Sequence, residues 1–192
     1  MGKGRLKTMS SYNIDLKEHI RTVSGFPIPG IEFRDITSLL ETPEAFNKSL
    51  LDLTSLTMSF NATKIIGIES RGFISASPIA RDLELPFILA RKPGKLPGHI
   101  YKKDYDLEYG SASLEVQTVT DIKQHDKVVI MDDLIATGGT AIACADLVHE
   151  NFNVPKENIL ILAVIDLPDV GGCAIIEKQG YQANTLIEFE GE

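Results

Sequence analysis

The residues of this chain whose types and spacing could do chemistry are densest in one string, VVIMDDLIATGGT, from Val128 to Thr140. Apolar residues lead into two adjacent acids, Asp132 and Asp133, and then into a run of small residues ahead of a helix-forming segment. Ala136, Thr137, Gly138, Gly139 and Thr140 offer backbone N–H groups and two hydroxyls where that helix begins. With the helix dipole behind them, such groups suit a phosphate monoester. Glycine lets the backbone close around phosphate oxygens where a Cβ would intrude. The paired carboxylates suit a sugar diol and a divalent cation at the same ligand. Strand alternation predicts that they point to opposite sides of the strand end, one toward ligand and one toward loop or metal-bound water. Phosphate, diol and metal together describe a phosphorylated ribose. Asp-Asp after a strand can also be a turn, and Gly-Gly-Thr a helix start, but no fold requirement demands both in one string. No Gly-x-x-x-x-Gly-Lys-Ser/Thr occurs, and no Gly-x-Gly-x-x-Gly follows a strand, which sets aside the ATP-binding P-loop and the dinucleotide fingerprint.

A second string, ESRGF from Glu69 to Phe73, repeats the device: an apolar run, small residues Ser70 and Gly72, then a helix, now with the Arg71 guanidinium for phosphate oxygens. Arg91, Lys92 and Lys95 put three cations within five positions, with Lys102 and Lys103 after them. A charge run is otherwise a solvated loop, and Lys102 and Lys103 are assigned to solvent. Nucleophilic catalysis finds no support: there is no Gly-x-Ser-x-Gly elbow and no His-Glu-x-x-His. His19, His99, His125 and His149 are scattered, and His99 is taken as a solvated side chain.

The elements that must position these strings follow from periodicity. KIIGI (64–68), PFILA (86–90), KVVIM (127–131) and ILILAVI (159–165) are short and apolar on both faces, and helix-like stretches separate them, running to about Leu83 and Glu150. That pattern predicts an α/β fold with a parallel twisted sheet flanked by helices. In such sheets ligands sit beyond the carboxyl ends of the strands, where both strings fall. A short helix is expected over Leu16–Val23, ended by SGFPIPG. A longer one is expected from Thr42, as capping hydroxyl, and Pro43. YDLEYGSASLEVQTV (105–119) alternates polar and apolar residues around a Gly-Ser turn and reads as an antiparallel flap, either a lid or a surface hairpin.

The chain has 192 residues, 19 Lys+Arg and 27 Asp+Glu, a net charge of −8. That length predicts one domain, 1–192, with 92–119 as flexible loop and flap. The acidity argues against general nucleic-acid or anionic-membrane partners, and no apolar run approaches the ~18 residues of a bilayer span. Residues 1–8 are basic, precede a second methionine at Met9 and are set apart as a leader or extension. Cys144 and Cys173 are too few for a disulfide framework and are taken as small apolar residues in a reducing cytosol, so a cytoplasmic location is expected. Two glycosylation sequons, at Asn47 and Asn61, are then chance matches.

Val128–Thr140 resembles the ribose-phosphate signature of the type I phosphoribosyltransferases. FPIPGIEFRDIT (26–37), ESRGF (69–73), RKPGKLPG (91–98) and YDLEYG (105–110) resemble the adenine branch of that family in the same order, from Phe26 to the end of the chain. The resemblance implies the type I fold with an antiparallel flap or hood, and purine salvage: adenine and 5-phospho-α-D-ribose 1-diphosphate (PRPP) give AMP and pyrophosphate through an oxocarbenium-like transition state. It implies that Ala136–Thr140 hold the 5′-phosphate and that Asp132 and Asp133 bind ribose hydroxyls. Glu69, Ser70 and Arg71 would form the pyrophosphate loop, with Arg71 catalytic on the leaving group. Arg91, Lys92 and Lys95 would reach pyrophosphate, across a homodimer interface in some arrangements. Glu108 is the implied acid/base group at the purine, with Tyr109 positioning the flap or ribose. Backbone groups around Glu32 and Arg34 would read the amino-purine edge, Leu134 would cover one face, and Phe33 could stack on the base or simply be core. Mg2+ is the implied cofactor, held mainly by PRPP, pyrophosphate and water with Asp132 and Asp133 nearby rather than by direct protein ligands. Related enzymes for hypoxanthine, guanine, xanthine or orotate are disfavoured by FPIPG…FRD with DLEYG. A non-catalytic binding regulator is disfavoured by Glu108 and by the lack of room for a DNA-binding addition.

Overall fold

The computed structural model describes residues 14–107 and 110–191. A hairpin comes first, β1 (Arg21–Ser24) and β2 (Glu32–Asp35), followed by the short helix α1 (Thr37–Leu40) and the long helix α2 (Pro43–Ser59). Then β3 (Lys64–Ile68), α3 (Gly72–Asp82) and β4 (Phe87–Ala90) form one crossover unit. A second hairpin, β5 (Ile100–Leu107) and β6 (Gly110–Gln117), interrupts the alternation. It resumes with β7 (Val128–Met131), the two-residue β8 (Leu134–Ile135), α4 (Gly139–Phe152), β9 (Ile159–Asp166), α5 (Gly172–Lys178) and β10 (Gln182–Glu188).

The central sheet is parallel, in the order β10-β9-β7-β3-β4, with β8 also paired to β9. Every residue of β3, β7 and β9 is buried, which is why these strands read as unbroken apolar runs rather than alternating ones. Successive side chains enter two different cores. Ile66, Ile68, Ile130 and Ile161 pack with Cys144, Leu147 and Val148 of α4, whereas Ile65, Val129, Met131 and Leu162 pack with Leu53 of α2 and Ile79 of α3. Fully burying a branched aliphatic side chain is worth ~1.5–3 kcal/mol, so this two-sided burial fixes the register of the central strands. No helix among the described residues is long and apolar enough to cross a membrane.

Several local expectations are corrected. Leu16–Val23 is not a helix: a 3-10 turn over Leu16–His19 gives way to β1, where Thr22 and Val23 pair with Arg34 and Phe33. β-branched residues favour that pairing. Thr42 precedes α2 as its N-cap residue but makes no side-chain cap; its hydroxyl donates to the Ser38 carbonyl at 3.1 Å. Gly110 pairs with Leu107 and Ser111 with Asp106, so Gly110-Ser111 belongs to strand β6 rather than to a turn. β10 adds a fifth principal strand beyond the four apolar runs; its half-exposed edge position leaves it without a continuous apolar run.

Candidate active site

The chain leaves β3 toward β4 on one side of the sheet and leaves β7 toward β9 and β10 on the other. This reversal opens a crevice at the carboxyl ends of β3 and β7, the place where open α/β sheets bind ligands. Glu69, Ser70 and Arg71 follow β3, and Asp132 and Asp133 follow β7, so topology alone brings the two strings together. Gly72 permits their close approach: a Cβ there would lie 2.3 Å from the Met131 carbonyl oxygen.

An open cavity of ≈ 880 Å³ occupies the crevice. Glu69–Arg71 form one wall, Asp132 through Ala141 another, and Lys92, Pro93, Tyr105 and Ser111–Ser113 a third. Both acids line the cavity, and they divide as strand alternation predicts: Asp132 lies on the α4 side, near Cys144, while Asp133 also borders a small second pocket with Ile36, Leu39 and Ser75 on the other face of the sheet. The ladder with β9 is interrupted between Met131 and Leu134, where the Asp133 carbonyl accepts from both Val164 and Ile165 N–H. Asp132 Oδ1 accepts the Asp133 N–H at 2.9 Å.

Asp133 is buried, and Arg71 Nε lies 2.7 Å from its Oδ2. The pair is in ion-pair range but lacks hydrogen-bond alignment, so that oxygen is left without a hydrogen-bond partner. Burial pushes the Asp132 carboxyl well above the ordinary range, and the neighbouring Asp133 charge pushes it further. The structure has thus gathered more acidity than it neutralises, a site prepared for hydroxyls or a cation.

The small-residue loop behaves as its composition predicts. Gly138 adopts a left-handed conformation (φ +79°) and starts the 14-residue α4, whose N-terminus opens into the cavity. Thr137 stays exposed, its hydroxyl 3.5 Å from the Gly139 N–H.

The cationic loop is organised differently from the simple contact set expected. Arg91 Nη2 pairs with Glu69 Oε1 at 3.0 Å and its Nη1 donates to the Lys95 carbonyl at 3.1 Å, while the Lys92 N–H donates to Glu69 Oε2 at 2.9 Å. The Arg91 hydrogen bond, then the Lys92 amide, hold the Glu69 carboxyl below its usual range. Lys92 lines the cavity, whereas Lys95 is exposed outside its lining and Arg91 supports the loop from behind. Lys103 is not a solvated side chain: it pairs with Glu150 at 2.6 Å and Asp146 at 3.3 Å on α4. Lys102 pairs with Asp104 at 3.0 Å, and His99 is exposed as expected. Cys144 is buried and Cys173 half-buried, both as free thiols.

In the first hairpin Phe33 meets Phe26 edge-on at 5.0 Å, and the Arg71 guanidinium lies 5.7 Å from its ring centroid. The Arg34 side chain points elsewhere. It donates to Thr22 Oγ1 at 2.6 Å and to the carbonyls of Glu190 and Gly191, and it covers the Phe189 ring. Leu134 lines the cavity beside the acids. Glu108 and Tyr109 lie outside the described residues. Pro93 and Tyr105 join the lining from inside the RKPGKLPG and YDLEYG strings, where the resemblance assigns them no role, and the small residues Ser111, Ala112 and Ser113 join it from β6, just past the second string.

A family model, the phosphoribosyl transferase domain, matches residues 44–165. Adenine phosphoribosyltransferase of Nitrosospira multiformis is 46% identical over 178 residues, covering 93% of this chain and 99% of that one. The chain belongs to the adenine phosphoribosyltransferases. The Actinobacillus succinogenes adenine phosphoribosyltransferase is 46% identical, over 92% of this chain and 96% of its own. Among solved structures, the Giardia lamblia enzyme complexed with 9-deazaadenine superposes with a TM-score of 0.85 at 34% identity, covering 91% of this chain and 96% of that one. The adenine phosphoribosyltransferase fold thus accounts for the sheet, the helices and the hood-like hairpins together.

Proposed function

We propose that this chain transfers the 5-phosphoribosyl group of PRPP to adenine, releasing pyrophosphate and forming AMP. One observation carries the proposal: two strand-to-helix loops, one bearing Arg71 and one of small residues at the α4 N-terminus, flank a pair of carboxylates in a single crevice. Breaking the C1–oxygen bond leaves positive charge on the ribose ring and negative charge on pyrophosphate. Catalysis here is positioning and electrostatics, with no covalent nucleophile required. Amides of Ala136–Thr140 hold the 5′-phosphate at the α4 N-terminus. Asp132 and Asp133 accept the ribose hydroxyls and stabilise the growing ring charge. The Ser70–Arg71 loop and Lys92 meet the leaving group, with Lys95 at the loop's outer end. Glu69 and Arg91 act through the loop they hold in place.

As adenine N9 bonds to C1, its proton must leave. The resemblance assigns proton transfer at the purine to Glu108 and flap or ribose positioning to Tyr109. On the hood side, the β2 backbone around Glu32 and Arg34 is assigned to the amino edge, with Phe33 and Leu134 flanking the ring. The Phe33 ring carries the Arg71 guanidinium over its face and is not part of the cavity lining, so stacking on the base would need Arg71 to shift toward the leaving group.

No group of three or more metal-binding side chains occurs among the described residues, while Asp133 keeps an unpartnered oxygen. This donor set suits a cation shared between substrate and protein. Mg2+ is the proposed ion, with Asp132 and Asp133 beside it, and when bound it would neutralise charge on the departing diphosphate. We further propose a single catalytic domain over 1–192, with 92–119 as loop and flap, working as a cytoplasmic homodimer. A base-competition assay with PRPP tests the substrate assignment: adenine should outcompete guanine, hypoxanthine and orotate, and preferred use of any of these would overturn it. Near wild-type turnover of Glu108→Gln with adenine would remove Glu108 from its role.

A further inference from the structure

The phosphate loop has a back wall that its own motif does not contain. At Gly172, the first residue of α5, a Cβ would lie 2.2 Å from the Ala136 carbonyl oxygen, 2.8 Å from the Gly138 nitrogen and 2.8 Å from Ile135 Cγ2. The contact is reciprocal: a Cβ at Gly138 would lie 2.9 Å from the Gly172 carbonyl oxygen and 3.2 Å from Ile176 Cγ1. Both glycines are buried, and Ile176 is fully so. Backbone therefore lies directly on backbone, with Ile176 closing the gap one turn along α5. Gly172 lies beyond the matched family segment, which ends at residue 165.

A loop that grips phosphate by its amides depends on where those amides point, and displacing the Ala136–Gly138 backbone by a fraction of an ångström redirects them. Real side chains do not tolerate the separation a Cβ at Gly172 would impose, so the loop itself would have to move toward the cavity or α5 away from it. We propose that Gly172 is a positioning residue for the 5′-phosphate: α5, by packing glycine to glycine and through Ile176, sets the conformation in which Ala136–Thr140 bind the phosphate. The pyrophosphate loop after β3 is outside this contact. The inference rests on the assignment of Ala136–Thr140 to the 5′-phosphate.

Calorimetric binding of ribose 5-phosphate and, separately, of pyrophosphate distinguishes the two, with the KM for PRPP as a kinetic check. In Gly172→Ala, the Kd for ribose 5-phosphate and the KM for PRPP should rise about tenfold or more, with the Kd for pyrophosphate unchanged. Gly171→Ala provides the strain control: its φ of +81° also disfavours a side chain, but open space surrounds the added Cβ, so ribose 5-phosphate affinity should be retained. If Gly172→Ala does not fold, Ile176→Ala removes the same wall from the other side and should weaken ribose 5-phosphate severalfold while sparing pyrophosphate. Unchanged ribose 5-phosphate affinity in the folded variant, or equal weakening of both ligands, overturns the proposal. Failure of the wild-type protein to bind ribose 5-phosphate would instead overturn the phosphate-loop assignment itself.

Discussion

Arg71 and Asp133 face each other across the crevice with Nε and Oδ2 2.7 Å apart, so the guanidinium assigned to the leaving group is also the nearest counter-charge to a buried acid. The two loops that must handle opposite ends of PRPP are thereby tied to each other before any ligand arrives. Binding of a diphosphate can draw Arg71 away only if hydroxyls or a cation take its place at Asp133.

Arg71→Ala should therefore lower kcat/KM by about 10²–10³, the scale of losing one preorganised charge-stabilising group. Arg71→Lys should recover only part of this, because an ammonium lacks the planar fork that spans a carboxylate and a phosphate oxygen. Steady-state kinetics of both variants check this; wild-type activity in Arg71→Lys would contradict the bidentate role.

Asp132 predicts a conflict between stability and function. Its folded pKa is raised by burial and by Asp133, so the native state holds this proton more tightly than the unfolded chain does. Stability from the group is full below the unfolded value of about 3.9 and is lost as pH rises toward the folded pKa. Asp132→Asn keeps an oxygen to accept the Asp133 N–H but removes the charge. Its Tm at neutral pH should rise, by about 2–4 °C for each kcal/mol relieved, while PRPP turnover falls sharply. Parallel thermal melts and assays decide; a lowered Tm would contradict the cost of ionising Asp132 in its buried position beside Asp133.

Glu69 gives the opposite sign. Arg91 and the Lys92 amide hold its pKa below the ordinary value, so its stabilising contribution is present above the unfolded pKa of about 4.3 and lost as pH falls through the folded one. Amide exchange at Lys92, corrected for intrinsic rates, should stay protected through neutral pH and open only in acid. Glu69→Gln should raise the KM for PRPP severalfold at pH 7 by loosening the Arg91 ion pair, with adenine KM little changed.

The β5–β6 hairpin is fastened to α4 at its base. Glu150 first, then Asp146, raises the Lys103 pKa, and Tyr181 donates to the same Asp146 at 2.6 Å. Tyr101 meets Phe152 edge-on at 5.4 Å one layer away. Lys103→Met should cost up to about 1 kcal/mol, as a partly exposed pair does, and increase hydrogen exchange in β5. Unchanged exchange there would mean the ion pairs do not fasten the hairpin.

Which parts are legible in the sequence follows from their physics. β3, β7 and β9 are buried on both faces and announce themselves as apolar runs, and the carboxyl-end rule then locates the Asp132-Asp133 and Glu69–Arg71 strings. β10 is illegible because an edge strand need not be apolar. Arg91 and Lys103 look like any loop cations in one dimension; only the fold brings Glu69 and α4 opposite them. Gly172 carries no chemistry of its own, and its closeness to Ala136 is a property of two distant loops meeting in space.

The most direct test is quantification of AMP and pyrophosphate formed by the purified full chain from adenine and PRPP with Mg2+. Equimolar AMP and pyrophosphate, abolished when Asp132 and Asp133 are both changed to Asn in protein that remains folded, is the predicted result. Folded wild-type protein that yields neither product, or a double variant that retains turnover, would contradict it.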